Sequence, residues 1–181
     1  MPTRLSGAVW VRSFPTSTST TDLTATFAAS VNRFVAALKA GGASVSIAAT
    51  LRPPERAFLM HYSYKVARAH LDPSTVPAMT GVDIDWVHRD AKGAVNLAAS
   101  RAAASQMVSG YGIVYAPALV SRHSQGRALD MNISNYLSKS FTDASGVATV
   151  VKNAAGLHAL GATYGVIKLV SDPPHWSDDG H

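Results

Sequence analysis

The 181-residue chain has no cysteine. That excludes disulfides, thiolate-held metals, iron–sulfur clusters and a cysteine nucleophile, so any metal must be held by histidine and carboxylate. Charge is also sparse. Only 15% of residues are Asp, Glu, Lys or Arg, with 16 basic against 11 acidic, for a net +5. No run approaches the roughly 18–20 apolar residues of a membrane helix, which argues against membrane insertion. The one apolar run near the start, Leu5 to Val11, ends at Arg12 and has no small-residue cleavage site directly after it. The expectation is therefore synthesis in the cytoplasm without a signal peptide. A Walker loop, a G-x-G-x-x-G fingerprint and an H-E-x-x-H pair are all missing.

What is present is a globular composition, 47% hydrophobic, at a length that predicts one domain over 1–181. Leu23, Phe27, Val31, Phe34, Val35 and Leu38 recur at steps of three and four and predict a helix stopped by Gly41 and Gly42. Residues 44–50 alternate and predict a strand. Pro53 and Pro54 open a second predicted helix running to about residue 70. Further helices are predicted over 91–109 and 146–162, and strands over 112–116, 127–133 and 166–170. Residues 71–90 read as irregular. Helices and short strands mix without regular βαβ alternation, so the predicted class is α+β.

Two segments carry chemistry. In Ser121-Arg122-His123-Ser124-Gln125-Gly126-Arg127-Ala128-Leu129-Asp130, a loop histidine precedes an aspartate that enters a strand. Gly126 permits a tight turn between them and Ala128 permits close packing. In Ser171-Asp172-Pro173-Pro174-His175-Trp176, a second histidine follows the last predicted strand. His123, Asp130 and His175 are all good Zn2+ ligands, and two imidazoles with one carboxylate leave a fourth position for water, as in catalytic sites. A carboxylate beside that water can take its proton and later return it to a leaving amine.

The pattern S-x-H-x-x-G-x-A-x-D followed by acid-x-x-H-W resembles the zinc D-alanyl-D-alanine carboxypeptidase and dipeptidase family. That family includes the vancomycin-resistance D,D-peptidases and phage endolysins that cut L-alanyl-D-glutamate bonds. The resemblance implies a small antiparallel sheet with helices packed on it, as in the hedgehog domain. It implies zinc on His123, Asp130 and His175, with Asp172 as general base where the family usually has glutamate. It also implies Arg52, in Ala49-Thr50-Leu51-Arg52, as the group that stabilises the developing oxyanion. The matched stretches are residues 45–56 and 121–176.

The expectation is thus a zinc peptidase acting on bacterial peptidoglycan stems. It would be a phage or prophage endolysin, monomeric, and active at the cell wall after release. Trp176, Ser121, Asp85 and Trp86 are candidates to line its substrate cleft, and Asp178 and Asp179 are fallback bases. The rival expectation is a zinc-containing wall-binding or phage structural domain without catalysis. Scattered Lys and Arg with no recognised motif argue against a nucleic-acid partner.

Overall fold

Buried stripes and capping side chains set most of the elements in a computed structural model that describes residues 3–181. Their order is β1 (Arg4–Leu5), α1 (Ala25–Ala40), β2 (Ser44–Ala49), α2 (Pro54–Ala67), β3 (Ile84–Asp85), α3 (Leu97–Gly110), β4 (Ala128–Ser134), β5 (Lys139–Thr142), β6 (Ala148–Val151), α4 (Ala154–Thr163), β7 (Ile167–Lys168) and β8 (His175–Ser177). The class is α+β. Among the described residues no helix is long and apolar enough to cross a membrane. Two compact units are formed, one by 53–120 with the residues up to 15, the other by 16–52 with 121–181.

In the first unit α2 and α3 pack on each other around Trp10, Phe58, Leu59, Val66, Trp86 and Met107. Pro54 occupies the first turn of α2, where its missing N–H is no loss. Helix α3 starts later than the predicted residue 91. The Asn96 side chain caps it by accepting from Ala99 N at 2.9 Å, and Asp90 holds the preceding turn through Lys92 N and Ala94 N, both at 2.9 Å. The strand predicted over 112–116 does not form. Ile113 N closes the end of α3 on Val108 O at 3.0 Å, and Val114 and Tyr115 beyond it are exposed.

The second unit is built on a four-stranded antiparallel sheet, ordered β2-β4-β8-β7. Four residues of the predicted stripe, Phe27, Val31, Phe34 and Leu38, are buried on α1, while Leu23 is buried just ahead of the helix and Val35 is half-buried. Each such side chain contributes about 1.5–3 kcal/mol on burial. They meet Leu129, Met131 and Trp176 of the sheet, together with Leu157 and Leu160 of α4. Side chains alternate across a strand, so Asp130 and His175, which are paired across β4 and β8, fall on the face away from that core.

The helix predicted over 146–162 is shorter and preceded by a hairpin. Strands β5 and β6 pair antiparallel around a turn in which Asp143 Oδ1 accepts from Ser145 N and Val147 N, both at 2.9 Å. Asn153 then caps α4 by accepting from Gly156 N at 2.9 Å. The local turn and cap chemistry outweighs the apolar run across 147–151. The last predicted strand shrinks to Ile167–Lys168, and the short β8 was not foreseen.

Candidate metal centre

His123 owes its place to a turn that only glycine closes without strain. The chain from Ser121 to Arg127 winds back through Gln125 N to Ser121 O (3.2 Å), Gly126 N to His123 O (3.2 Å) and Arg127 N to Arg122 O (2.9 Å). Gly126 sits at φ +65°, and a Cβ there would come within 3.2 Å of Thr24 N and 3.3 Å of Asp22 O. Its carbonyl accepts from Thr24 N at 2.9 Å. Ala128, fully buried, lets β4 start directly beneath this turn. The Ser121 and Ser124 hydroxyls tie the same turn, with Ser121 N donating to Ser124 Oγ at 2.9 Å.

The end of β2 straddles His123. Thr50 O lies 2.7 Å from its Nδ1, and Arg52 N donates to His123 O at 3.1 Å. The register of β2 against β4 shifts between Ile47 and Ala49, which sets Ala49 opposite Asp130. Such bulges re-aim the chain beside functional groups. Arg52 is thereby anchored next to His123 through its backbone.

His175 opens β8, where it is paired with Asp130. The loop before it is closed by Asp172 N to Leu169 O (3.1 Å), His175 N to Asp172 O (3.1 Å) and Met131 N to Pro174 O (2.9 Å). The far side of the His175 ring, Nε2, lies 3.1 Å from His181 O.

These placements bring three donor atoms to one point. His123 Nε2 is 3.2 Å from Asp130 Oδ1 and 3.2 Å from His175 Nδ1, and His175 Nδ1 is 3.3 Å from Asp130 Oδ1. Zinc–nitrogen bonds of about 2.0–2.1 Å in a tetrahedron require donors about 3.3–3.4 Å apart. The observed triangle fits that edge length closely.

Proton arithmetic points the same way. A backbone carbonyl only accepts, so His123 Nδ1 must carry the hydrogen directed at Thr50 O, and His175 Nε2 the one directed at His181 O. Neutral imidazole has one N–H. Both are therefore used outward, and three lone-pair atoms face one another within 3.3 Å. Such a cluster needs a cation or an added proton at its centre. Outward N–H groups on carbonyls are also how metal-bound histidines are fixed in orientation and tautomer.

The electrostatics fit this geometry. In the metal-free protein a proton on the inward imidazole nitrogens takes the cation's part: burial alone would raise the Asp130 carboxyl, but the hydrogen bonds and charge of His123 and His175 in that protonated form outweigh it, and the group is held well below the usual carboxylate range. Burial pushes His175 down, but the Asp130 hydrogen bond, the His181 carbonyl and the Asp130 and Asp172 charges more than reverse it, and its pKa lies above 6.5. His123 and His175 are 4% and 7% exposed, while the Asp130 side chain keeps 22% of its surface. The cluster therefore opens to solvent on the Asp130 side.

His123, Asp130 and His175 are the one group of three or more His and carboxylate residues among the described residues that is gathered closely enough to hold a metal. Asp172, three residues before His175, is exposed and its charge is felt by His175. Asp178 and Asp179 are ion-paired with Arg127 and Arg122, two residues of the first motif.

The candidate cleft residues have structural duties. Trp176 points to the core face of β8, where it is 2% exposed and packs on Phe34 with ring centroids 5.7 Å apart. It also borders a cavity of about 190 Å3 with Met131, Leu157, His158 and Lys168. Ser121 is part of the His123 turn. Asp85 and Trp86 belong to the other unit. Asp85 accepts from Val87 N at 2.8 Å, and Trp86, 4% exposed, is a core residue rather than a surface wall.

Sequence reasoning missed the two carbonyls that orient the imidazoles, because Thr50 and His181 act through backbone atoms that no side-chain pattern marks. It also missed Lys168, an unremarkable member of an apolar strand. No family model and no curated protein matches the chain.

Proposed function

We propose that the chain is a zinc-dependent peptidase acting on the peptide stems of bacterial peptidoglycan, an endolysin-type hydrolase of the kind its motifs resemble. The observation that carries the proposal is the convergence of His123 Nε2, His175 Nδ1 and Asp130 Oδ1 at tetrahedral-edge spacing, with both outward imidazole nitrogens engaged by carbonyls. Two histidines and one carboxylate match a catalytic rather than a structural zinc site, since a closed structural site uses four protein ligands.

When bound, zinc supplies a polarised, readily deprotonated water and a Lewis acid for the scissile carbonyl. The chain's own residues supply the rest. Asp172, exposed beside His175, accepts the water's proton and returns it to the departing amine. Arg52, whose backbone N–H donates to His123 O, supplies the guanidinium that offsets negative charge building on the carbonyl oxygen. The net +5 charge favours association with an anionic wall polymer.

The exposure of Asp172, a shorter acid than the family's glutamate, favours a second reading: a zinc-containing wall-binding domain without turnover. Digestion of purified peptidoglycan by the zinc-loaded protein, with and without a chelator, separates the two. Chelator-sensitive release of new amino groups supports the peptidase. One bound zinc per chain with no release supports the binding domain. Mass spectrometry of the released muropeptides names the bond.

A further inference from the structure

Lys168 stands apart from every other lysine in the chain by what its ammonium touches. Nζ donates to three backbone carbonyls, those of Leu169, Asp172 and His175, the last at 2.9 Å. It also lies 5.6 Å from the centre of the Trp176 ring. An ammonium has three N–H donors, so all three are used within one loop. Those carbonyls mark the start, the middle and the end of the segment that carries Asp172 and delivers His175 to Asp130.

Beyond the bond from Met131 N to Pro174 O at 2.9 Å and the pairing of β8 with β4 and β7, the segment is held only by its own turns. Residues 170–173 are exposed. Pro173 and Pro174 contribute no N–H, and the bonds within the loop are two turn contacts and the pair from Leu169 N to His175 O at 3.2 Å. Hydrogen bonds from a charged donor are roughly twice as strong as neutral ones. Three of them gathered on one nitrogen cross-link the loop more firmly than its own backbone does.

We infer that Lys168 is a positioning residue: its ammonium, seated among the carbonyls of Leu169, Asp172 and His175, fixes the loop that aims the His175 imidazole at the metal centre and sets Asp172 beside it. The inference rests on the metal reading of His123, Asp130 and His175. The role acts through other residues. Lys168 touches neither a ligand atom nor a reacting group.

The test uses the full chain as wild type, Lys168→Met and Lys168→Arg. Zinc affinity is read by competition with a chromophoric chelator, and amide hydrogen exchange is read on the metal-free proteins. Removing a residue that orients a metal ligand costs about 10- to 100-fold in affinity. Lys168→Met is expected to weaken zinc by at least tenfold. It should also speed exchange at the Leu169, Asp172 and His175 amides while leaving Phe34 in α1 unchanged. Lys168→Arg, which keeps charge and donors, recovers most of both. Wild-type zinc affinity in Lys168→Met, even with a lowered melting temperature, overturns the inference and leaves the metal reading standing. If the wild type itself binds no zinc, the metal reading falls. The positioning role then falls with it unless the three amides still lose protection selectively in Lys168→Met.

Discussion

Replacing Gly126 by alanine should destabilise the fold and disturb the metal centre together. At φ +65° an L-residue bears a left-handed backbone cost of about 1–2 kcal/mol. The added Cβ would also meet Thr24 N at 3.2 Å and Asp22 O at 3.3 Å, both backbone atoms that cannot swing aside. Relieving the contact stretches the bond from Thr24 N to Gly126 O, now 2.9 Å, and losing it costs about 1 kcal/mol more. The expected loss is about 2–3 kcal/mol, measured by urea unfolding of the metal-free protein. Gly146→Ala in the same unit is the control. Its φ is +91° but nothing lies within 4 Å of its would-be Cβ, so only the backbone cost of about 1–2 kcal/mol applies. Because the same turn sets His123, Gly126→Ala should also weaken zinc binding, and Gly146→Ala should not. Equal destabilisation by the two substitutions, or unchanged zinc affinity in Gly126→Ala, would refute the reasoning.

Asp172→Ala should retain zinc and lose turnover on peptidoglycan by about 100-fold or more, the scale of general acid–base catalysis. Asp172→Glu should retain activity, and normal turnover in Asp172→Ala would remove this residue from the base role. Trp176→Ala should cost about 3–5 kcal/mol in urea unfolding, the range for a fully buried aromatic; a loss under 1 kcal/mol would place the indole outside the core. Metal-free and zinc-loaded protein should show opposite pH slopes. The His175 pKa lies above its ordinary 6.5, so in the metal-free protein its contribution is full below 6.5 and is lost as pH rises through the raised value. Zinc competes with that proton, so zinc affinity falls as pH drops through the same window. Asp130, held low, stays ionised throughout. Melting curves from pH 5 to 9, with and without zinc, show whether the slopes differ in sign.

The parts of the structure that were readable beforehand are those written in side-chain periodicity. The α1 stripe, the alternation in β2 and the motif turn around Gly126 each place apolar or special residues at spacings that one geometry satisfies. The hairpin of β5 and β6 was hidden because its signal is a single Asx turn at Asp143 inside a run that also suits a helix. The strand expected at 112–116 failed because its apolar residues find no partner strand, and Ile113 is drawn into the end of α3. At the site, His123, Asp130 and His175 were visible as donors. The atoms that aim them were not, since Thr50 and His181 act through carbonyls. Trp86, beside suggestive carboxylates in the sequence, is a buried core aromatic of the other unit.

The central claim is that His123, Asp130 and His175 together hold one divalent cation. X-ray absorption at the zinc edge, on protein loaded with one equivalent and dialysed, tests it most directly. The account predicts one zinc per chain with two nitrogen and one or two oxygen neighbours near 2.0–2.1 Å, and loss of the bound metal in Asp130→Ala and His175→Ala. Wild-type protein that retains no more zinc than those variants would contradict it.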